Sequence, residues 1–308
     1  MPAVARLRPN DFFSPEEWAG LSARSSWKGL ALVVHCWGVI ALAVVLGAWI
    51  PWLIPVCVMV IGTRQLGLAI LMHEAAHAGL HPNLKVNDWV GHWLCAVPIG
   101  ASLSAYRPYH LSHHKYAQQV EDPDLPLSAP FPVTRASLRR KIIRDLTGQT
   151  FFKQRIALFF VRVPPDEDLP EGARVTARSA LPFLAVNGAM LAGAILAGVW
   201  WAYFALWLLP LATWFPLVTR LRNIAEHACV ENSEIDPLRQ ARTTHAAGWE
   251  RAFIAPYWVN FHAEHHIFMH LPCWNLKRAH RLLAEKGVTQ GMEVAPGYGA
   301  VLREASSA

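Results

Sequence analysis

Apolar residues in this chain come in long unbroken runs rather than at the period of a surface helix or strand. Four runs are long enough to cross a hydrocarbon core of about 30 Å, which takes roughly 20 residues. They extend from about Gly29 to Ile50, Trp52 to Met72, Ala180 to Trp200 and Tyr203 to Val218. They form two hairpins, turned at Pro51 and around Trp201 and Ala202, and neither turn carries a charge. The other loops are rich in Lys and Arg, and Arg64 is the one basic residue within a run. The positive-inside rule therefore predicts that both termini and all large loops lie in the cytoplasm. Arg64 is costly inside a span, which predicts a place near the cytoplasmic end or an acidic partner. A further apolar stretch, Trp89 to Ala105, is short and interrupted by Pro98. It reads as a re-entrant or interface-lying segment.

The polar stretches fill in the rest. Residues 1–28 form an entry segment with a helix start at Ser14-Pro15-Glu16-Glu17. Residues 120–179 are an insert in which SLRRKIIRDL and FFKQRIALFFVRVPP place basic and apolar residues at helical spacing, as helices on a headgroup surface do. Leu276 to Lys286 reads as a helix, and the tail 287–308 gives no clear signal. The expected fold is a single all-α integral membrane domain over 1–308, with four transmembrane helices as two hairpins, a cytoplasmic helical cap and almost no sheet.

Composition supports this. The chain is 53% hydrophobic and 16% charged, against roughly 25% charged in a soluble domain. The net charge of +6 does not point to nucleic acid, because the basic residues flank the spans, where they meet anionic lipid headgroups. The polar N-terminal stretch lacks the apolar core of a cleavable signal, so the first span reads as a permanent helix. The five cysteines form no CxxC pair and read as small buried residues.

The chemistry lies in the histidines. Eight of the 15 fall in three clusters: His73 and His77 in HEAAH; His110, His113 and His114 in HLSHH; His262, His265 and His266 in HAEHH. On a helix, positions i, i+3 and i+4 share a face, so each cluster aims its imidazoles together. Imidazole suits zinc, copper or iron, and eight ligands are too many for one ion, so two metals are expected. The topology puts all three clusters on one membrane face. HEAAH alone matches an intramembrane zinc metalloprotease, but that chemistry has no use for six more clustered histidines. A metal transporter would hold its ligands at mid-membrane instead. A fourth element, Asn223 and His227, sits four residues apart on one face at the end of the last span.

The chain resembles the membrane fatty acid desaturase superfamily. The resemblance rests on the three boxes, on YRPYHLSHHKYAQQVEDPDL around the second and on NFHAEHHIFMHLPCWNLKRAH around the third, and it covers roughly residues 60 to 285. It implies a non-haem di-iron centre that uses O2, with electrons from an external ferredoxin or cytochrome b5-type donor. Carried over by position, the eight box histidines and His227 would be iron ligands, and Asn223 would contact one metal through water. No catalytic residue beyond the metal centre is implied. Zinc is redox-inert, so oxidation of an unactivated C–H bond agrees with iron. Carboxylates that accept the second N–H of a ligand histidine orient it, and Glu74, Asp122, Asp124, Glu226 and Glu264 are candidates, with His81 as a further neighbour. The expected substrate is a long-chain acyl lipid, with desaturation the expected reaction. Acyl hydroxylation, alkene-forming decarboxylation and carotenoid ketolation or hydroxylation are alternatives within the family. The expected location is the bacterial inner membrane, with the metal site on the cytoplasmic face.

Overall fold

A computed structural model describes residues 6–160, 180–230 and 236–308. Among these residues the fold is helical apart from one pair of three-residue strands. The entry segment forms α1 (Pro15–Ser22), whose Ser14 and Glu17 make the reciprocal capping box that the sequence predicts.

The first hairpin is α2 (Lys28–Trp49) and α3 (Ile54–Ala76), turned at Ile50 and Pro51. Helix α2 buries Gly29, Val33, Cys36, Ile40, Ala43 and Gly47, a stripe at alternating steps of four and three. The other faces point outward, as Val34 and Leu42 show. Helix α3 is the central post, with nearly every residue buried from Ile61 to Ala76. Small residues allow this: a Cβ on Gly62 would lie 2.6 Å from the Cβ of Trp214. Arg64 is mid-helix and buried, and its expected acidic partner is replaced by the Ala252 carbonyl at 3.3 Å and the Tyr257 ring at 5.4 Å. The carbonyl and the π-face meet the charge without a second ion.

Helix α4 (Leu84–Trp89) continues through a π-helical turn, Val90–Ala96, and a 3-10 turn, Val97–Ile99, in the stretch expected to be re-entrant. Then come α5 (Leu103–Tyr116), α6 (Leu125–Ser128), α7 (Arg135–Leu146) and α8 (Gln149–Phe160). The last two are the helices expected in the 120–179 insert, whose end at 161–179 lies outside the described residues.

The second hairpin departs from expectation. The third span forms α9 (Leu181–Leu196), only 16 residues long. At 1.5 Å per residue it is about 24 Å long, short of a full hydrocarbon core. It stops where Gly198 takes φ +74°, a turn that hydropathy does not register because its neighbours are apolar too. The fourth span is longer than expected. It joins α10 (Trp200–Tyr203), a π-helical turn, α11 (Leu209–Ala212) and α12 (Trp214–His227) into one run over Trp200–His227. Among the described residues, three helices, Lys28–Trp49, Pro51–Ala76 and Trp200–His227, are thus long and apolar enough to cross a membrane. Asn187 anchors α9: its amide donates to the Pro98 and Phe183 carbonyls and accepts from Trp207 Nε1 and Tyr203 Oη.

Strand β1 (Arg242–Thr244), α13 (Gly248–Phe253), α14 (His262–Ile267) and α15 (Cys273–Glu285) complete the histidine side. The tail, which had no clear sequence signal, supplies β2 (Glu293–Ala295), parallel to β1, and α16 (Tyr298–Ala305). Tyr298, Val301 and Ala305 of α16 are buried. Three strand residues and a two-turn helix are too short for periodicity to stand out.

Candidate metal centre

The last turn of α3 carries His73, and His77 caps its end. The exposed carbonyls at that end are taken by two side chains that sequence reasoning passed over. Arg107 of α5 donates to Ala76 O at 3.0 Å and Ala75 O at 2.8 Å, and Asn87 donates to Ala75 O at 2.9 Å. Arg107 also pairs bidentately with Asp88. This lock docks α5 against the end of α3, so that His110, nearly one turn on, meets His77 with Nε2 atoms 2.9 Å apart. Arg242 of β1 does the same for α12: it donates to the Ala228 and Cys229 carbonyls and fixes the chain beside His227.

The structure brings all nine expected histidines together in two buried groups. One contains His73, His77, His110, His114 and His265; the other contains His113, His227, His262 and His266. Within each group the donor atoms lie within 4.8 Å of one another. Each H-x-x-H-H box is divided. In α5 the i, i+4 pair His110 and His114 serves the first group while His113 crosses to the second; in α14, His262 and His266 serve the second while His265 crosses back.

The Nε2 atoms of His114 stand 3.0 Å from those of both His110 and His265. His113 and His266 are 3.2 Å apart, and His227 and His262 are 3.0 Å apart. An imidazole nitrogen sits about 2.0–2.1 Å from such a metal, so neighbouring donors at right angles around it would be roughly 3 Å apart. His113 Nδ1 is 2.8 Å from Asp122 Oδ1, and His227 Nδ1 is 3.2 Å from the Gln240 carbonyl. Both partners accept, so they hold the proton on Nδ1 and leave an Nε2 lone pair facing inward. Lone pairs that converge at this spacing repel unless a cation lies between them. His73 Nε2 is likewise buried with no hydrogen-bond partner. Burial, reinforced by neighbouring imidazoles, holds His110, His114, His262, His265 and His266 well below the usual histidine range, and burial pushes His77 down to about 3. The rings are therefore neutral, the form that binds metal. The donor set fits a pair of metal ions.

The candidate orienting groups fall in different places. Asp122 is buried, is held by the Gln118 and Asp124 backbone N–H groups, and orients His113. Asp124 lies 3.8 Å from His113 Nδ1 and accepts the Tyr109 hydroxyl. Glu74 lies 3.9 Å from His73 Nδ1 but accepts from Cys273 N at 3.0 Å. It is thus committed to the start of α15. Glu264 is fully buried and touches the second imidazole of another residue: its Oε1 is 2.6 Å from His280 Nδ1, and its Oε2 accepts from Thr243 Oγ1. His81 sits in the loop after α3, where its Nδ1 accepts from Asn83 N, outside both groups. Asn223 and Glu226 line a small cavity with Tyr106, Arg222 and Asp124 that reaches His110, His113, His227 and His262. A separate cavity of about 110 Å³, lined by Arg6, Trp18, Gln240 and His270, reaches His114 and His266.

The chain is similar to known proteins over most of its length. The profile of the fatty acid desaturase family matches residues 50–297. Over 264 residues the chain is 25% identical to dihydrorhizobitoxine desaturase of Bradyrhizobium elkanii, covering 83% of this chain and 73% of that protein. Over 305 residues it is 24% identical to sn-1 oleoyl-lipid 12-desaturase of Synechocystis sp., covering 92% of this chain and 83% of that one. A 96-residue stretch is 32% identical to the sn-1 oleoyl-lipid 12-desaturase of Arthrospira platensis, covering 31% of this chain and 26% of that enzyme. The chain belongs to the fatty acid desaturase family, and it is an oxidoreductase of that type with apolar helices suited to a membrane.

Proposed function

We propose that the two histidine groups hold two iron ions and that the protein uses O2 to desaturate a long-chain acyl lipid. The observation that carries this reading is the convergence of nine imidazoles into two groups with donors about 3 Å apart. Bound iron would supply the oxidising power to break an unactivated C–H bond, which redox-inert zinc cannot do. His73, His77, His110, His114 and His265 would hold one ion, and His113, His227, His262 and His266 the other, with Asn223 near the second through water. Asp122 and the Gln240 carbonyl would orient their rings. Electrons would come from an external ferredoxin or cytochrome b5-type donor. In this reading α9 is a fourth crossing, shortened against the α4 segment, and the site faces the cytoplasm of a bacterial inner membrane, where the basic loops belong.

The test is lipid analysis of cells that express the protein with a ferredoxin system, combined with metal analysis of the purified protein. Two irons per chain and a new O2-dependent double bond are expected. A new hydroxyl, terminal alkene or keto-carotenoid would move the activity to another branch of the family. Full turnover with zinc alone would overturn the iron reading.

A further inference from the structure

The two groups differ by one donor, and the shorter one has a carboxylate beside it. Glu226 lies one residue before His227 in α12 and is almost fully buried. Its Oε1 accepts from Arg222 Nε at 2.6 Å, one turn earlier on the same helix. Its Oε2 lies 3.4 Å from His262 Nε2. That nitrogen is the one that faces His227 Nε2 at 3.0 Å, so Glu226 stands on the inner side of the His262 ring, where the donors converge. A carboxylate that only oriented His262 would sit behind the ring, as Asp122 sits behind His113. Arg222 places a compensating positive charge beside this buried carboxylate.

We propose that Glu226 is a metal ligand, its Oε2 completing the four-histidine group as a fifth donor. One metal is then held by five imidazoles and the other by four imidazoles and a carboxylate. The inference rests on the reading of the two groups as metal sites. It gives the pair a built-in asymmetry, since an anionic oxygen donor favours the more oxidised state of its own metal, whereas neutral imidazoles do not.

The test compares iron-loaded wild-type protein with Glu226→Gln and Gly188→Ala, counting metal after challenge with graded chelator and recording Mössbauer spectra. Glutamine keeps the size of the side chain and an oxygen that can accept from Arg222 or from a His262 N–H, so a merely orienting role would survive the change. Wild-type protein should keep two irons with two distinct doublets. Glu226→Gln should keep the iron of the five-histidine group and release the other at least tenfold more readily, with one doublet lost or shifted. Gly188→Ala, on α9 where an added Cβ meets nothing, should keep both. If Glu226→Gln holds two irons with wild-type chelator resistance and spectra, Glu226 is not a ligand. If wild-type protein itself binds no metal, the reading of the groups fails and the inference fails with it. Should Glu226→Gln lose both irons, infrared difference spectra of metal-loaded against metal-free wild-type protein, labelled with 13C-glutamate, decide the point. Loading should shift a glutamate carboxylate stretch, and an unshifted spectrum overturns the proposal.

Discussion

Helices α3 and α9 are both built mainly from apolar residues, yet the molecule uses them in opposite ways. From Ile61 onwards α3 is buried almost throughout and carries Thr63, Arg64, Gln65, His73 and Glu74 inside the protein. Helix α9 buries Asn187 alone and turns Leu181, Leu184, Ile195 and Leu196 outward. Hydropathy ranks both as membrane helices and cannot tell the central one from the outer one. The polar content can: in a bilayer, polar side chains face protein, so a span with several of them is an inner helix and a span with one has a single point of attachment.

Substitutions along these two helices test the contrast. The largest effect is expected at the end of α3, where His73→Ala or His77→Ala should remove turnover by more than the roughly 10–100-fold that loss of an outer-sphere partner costs. Membrane insertion should persist, because the spans set it. Iron content and product formation check this, and near-normal turnover in either variant would remove that residue from the centre. Next is Gly62→Leu, which drives a side chain into Trp214 and should cost about 1–3 kcal/mol through overpacking, read as a lower midpoint in detergent unfolding. Asn187→Leu should cost less, on the order of 0.6–1.7 kcal/mol, the range for polar contacts between membrane helices, and should leave metal content unchanged. Loss of metal in that variant would show that α9 supports the site rather than merely resting against it. The smallest effect belongs to Gly188→Ala. A Cβ there meets nothing, so stability should hold or rise by up to about 1 kcal/mol through helix propensity alone. A clear loss would mean that α9 packs against something on its outer face.

The histidine boxes were legible because rare, chemically committed residues recur at helical spacing. Their division between two groups was not, because it depends on how α5 and α14 are rotated against each other. Asp122 could be placed near the site because it follows the second box closely and the chain turns back at Gln118 and Gln119. Glu264 was misjudged as a neighbour of the ligand rings although the information was present. It lies two residues after His262, about 200° round a helix, and so points to His280 on the far side. Arg107, Arg242 and the Gln240 carbonyl left no trace in the sequence, since each acts through backbone groups that only the folded chain brings near. The end of α9 was invisible for a simpler reason: a glycine turn between apolar residues looks like more helix.

The divided boxes have a consequence for how the protein can vary. Helices α5 and α14 each contribute to both groups, so the distance between the groups is set by the pitch of two short helices, like marks on a ruler. The loops that separate the boxes can lengthen, shorten or acquire inserts without altering that distance. A single residue inserted within either box would rotate its two ends out of register and spoil both groups together.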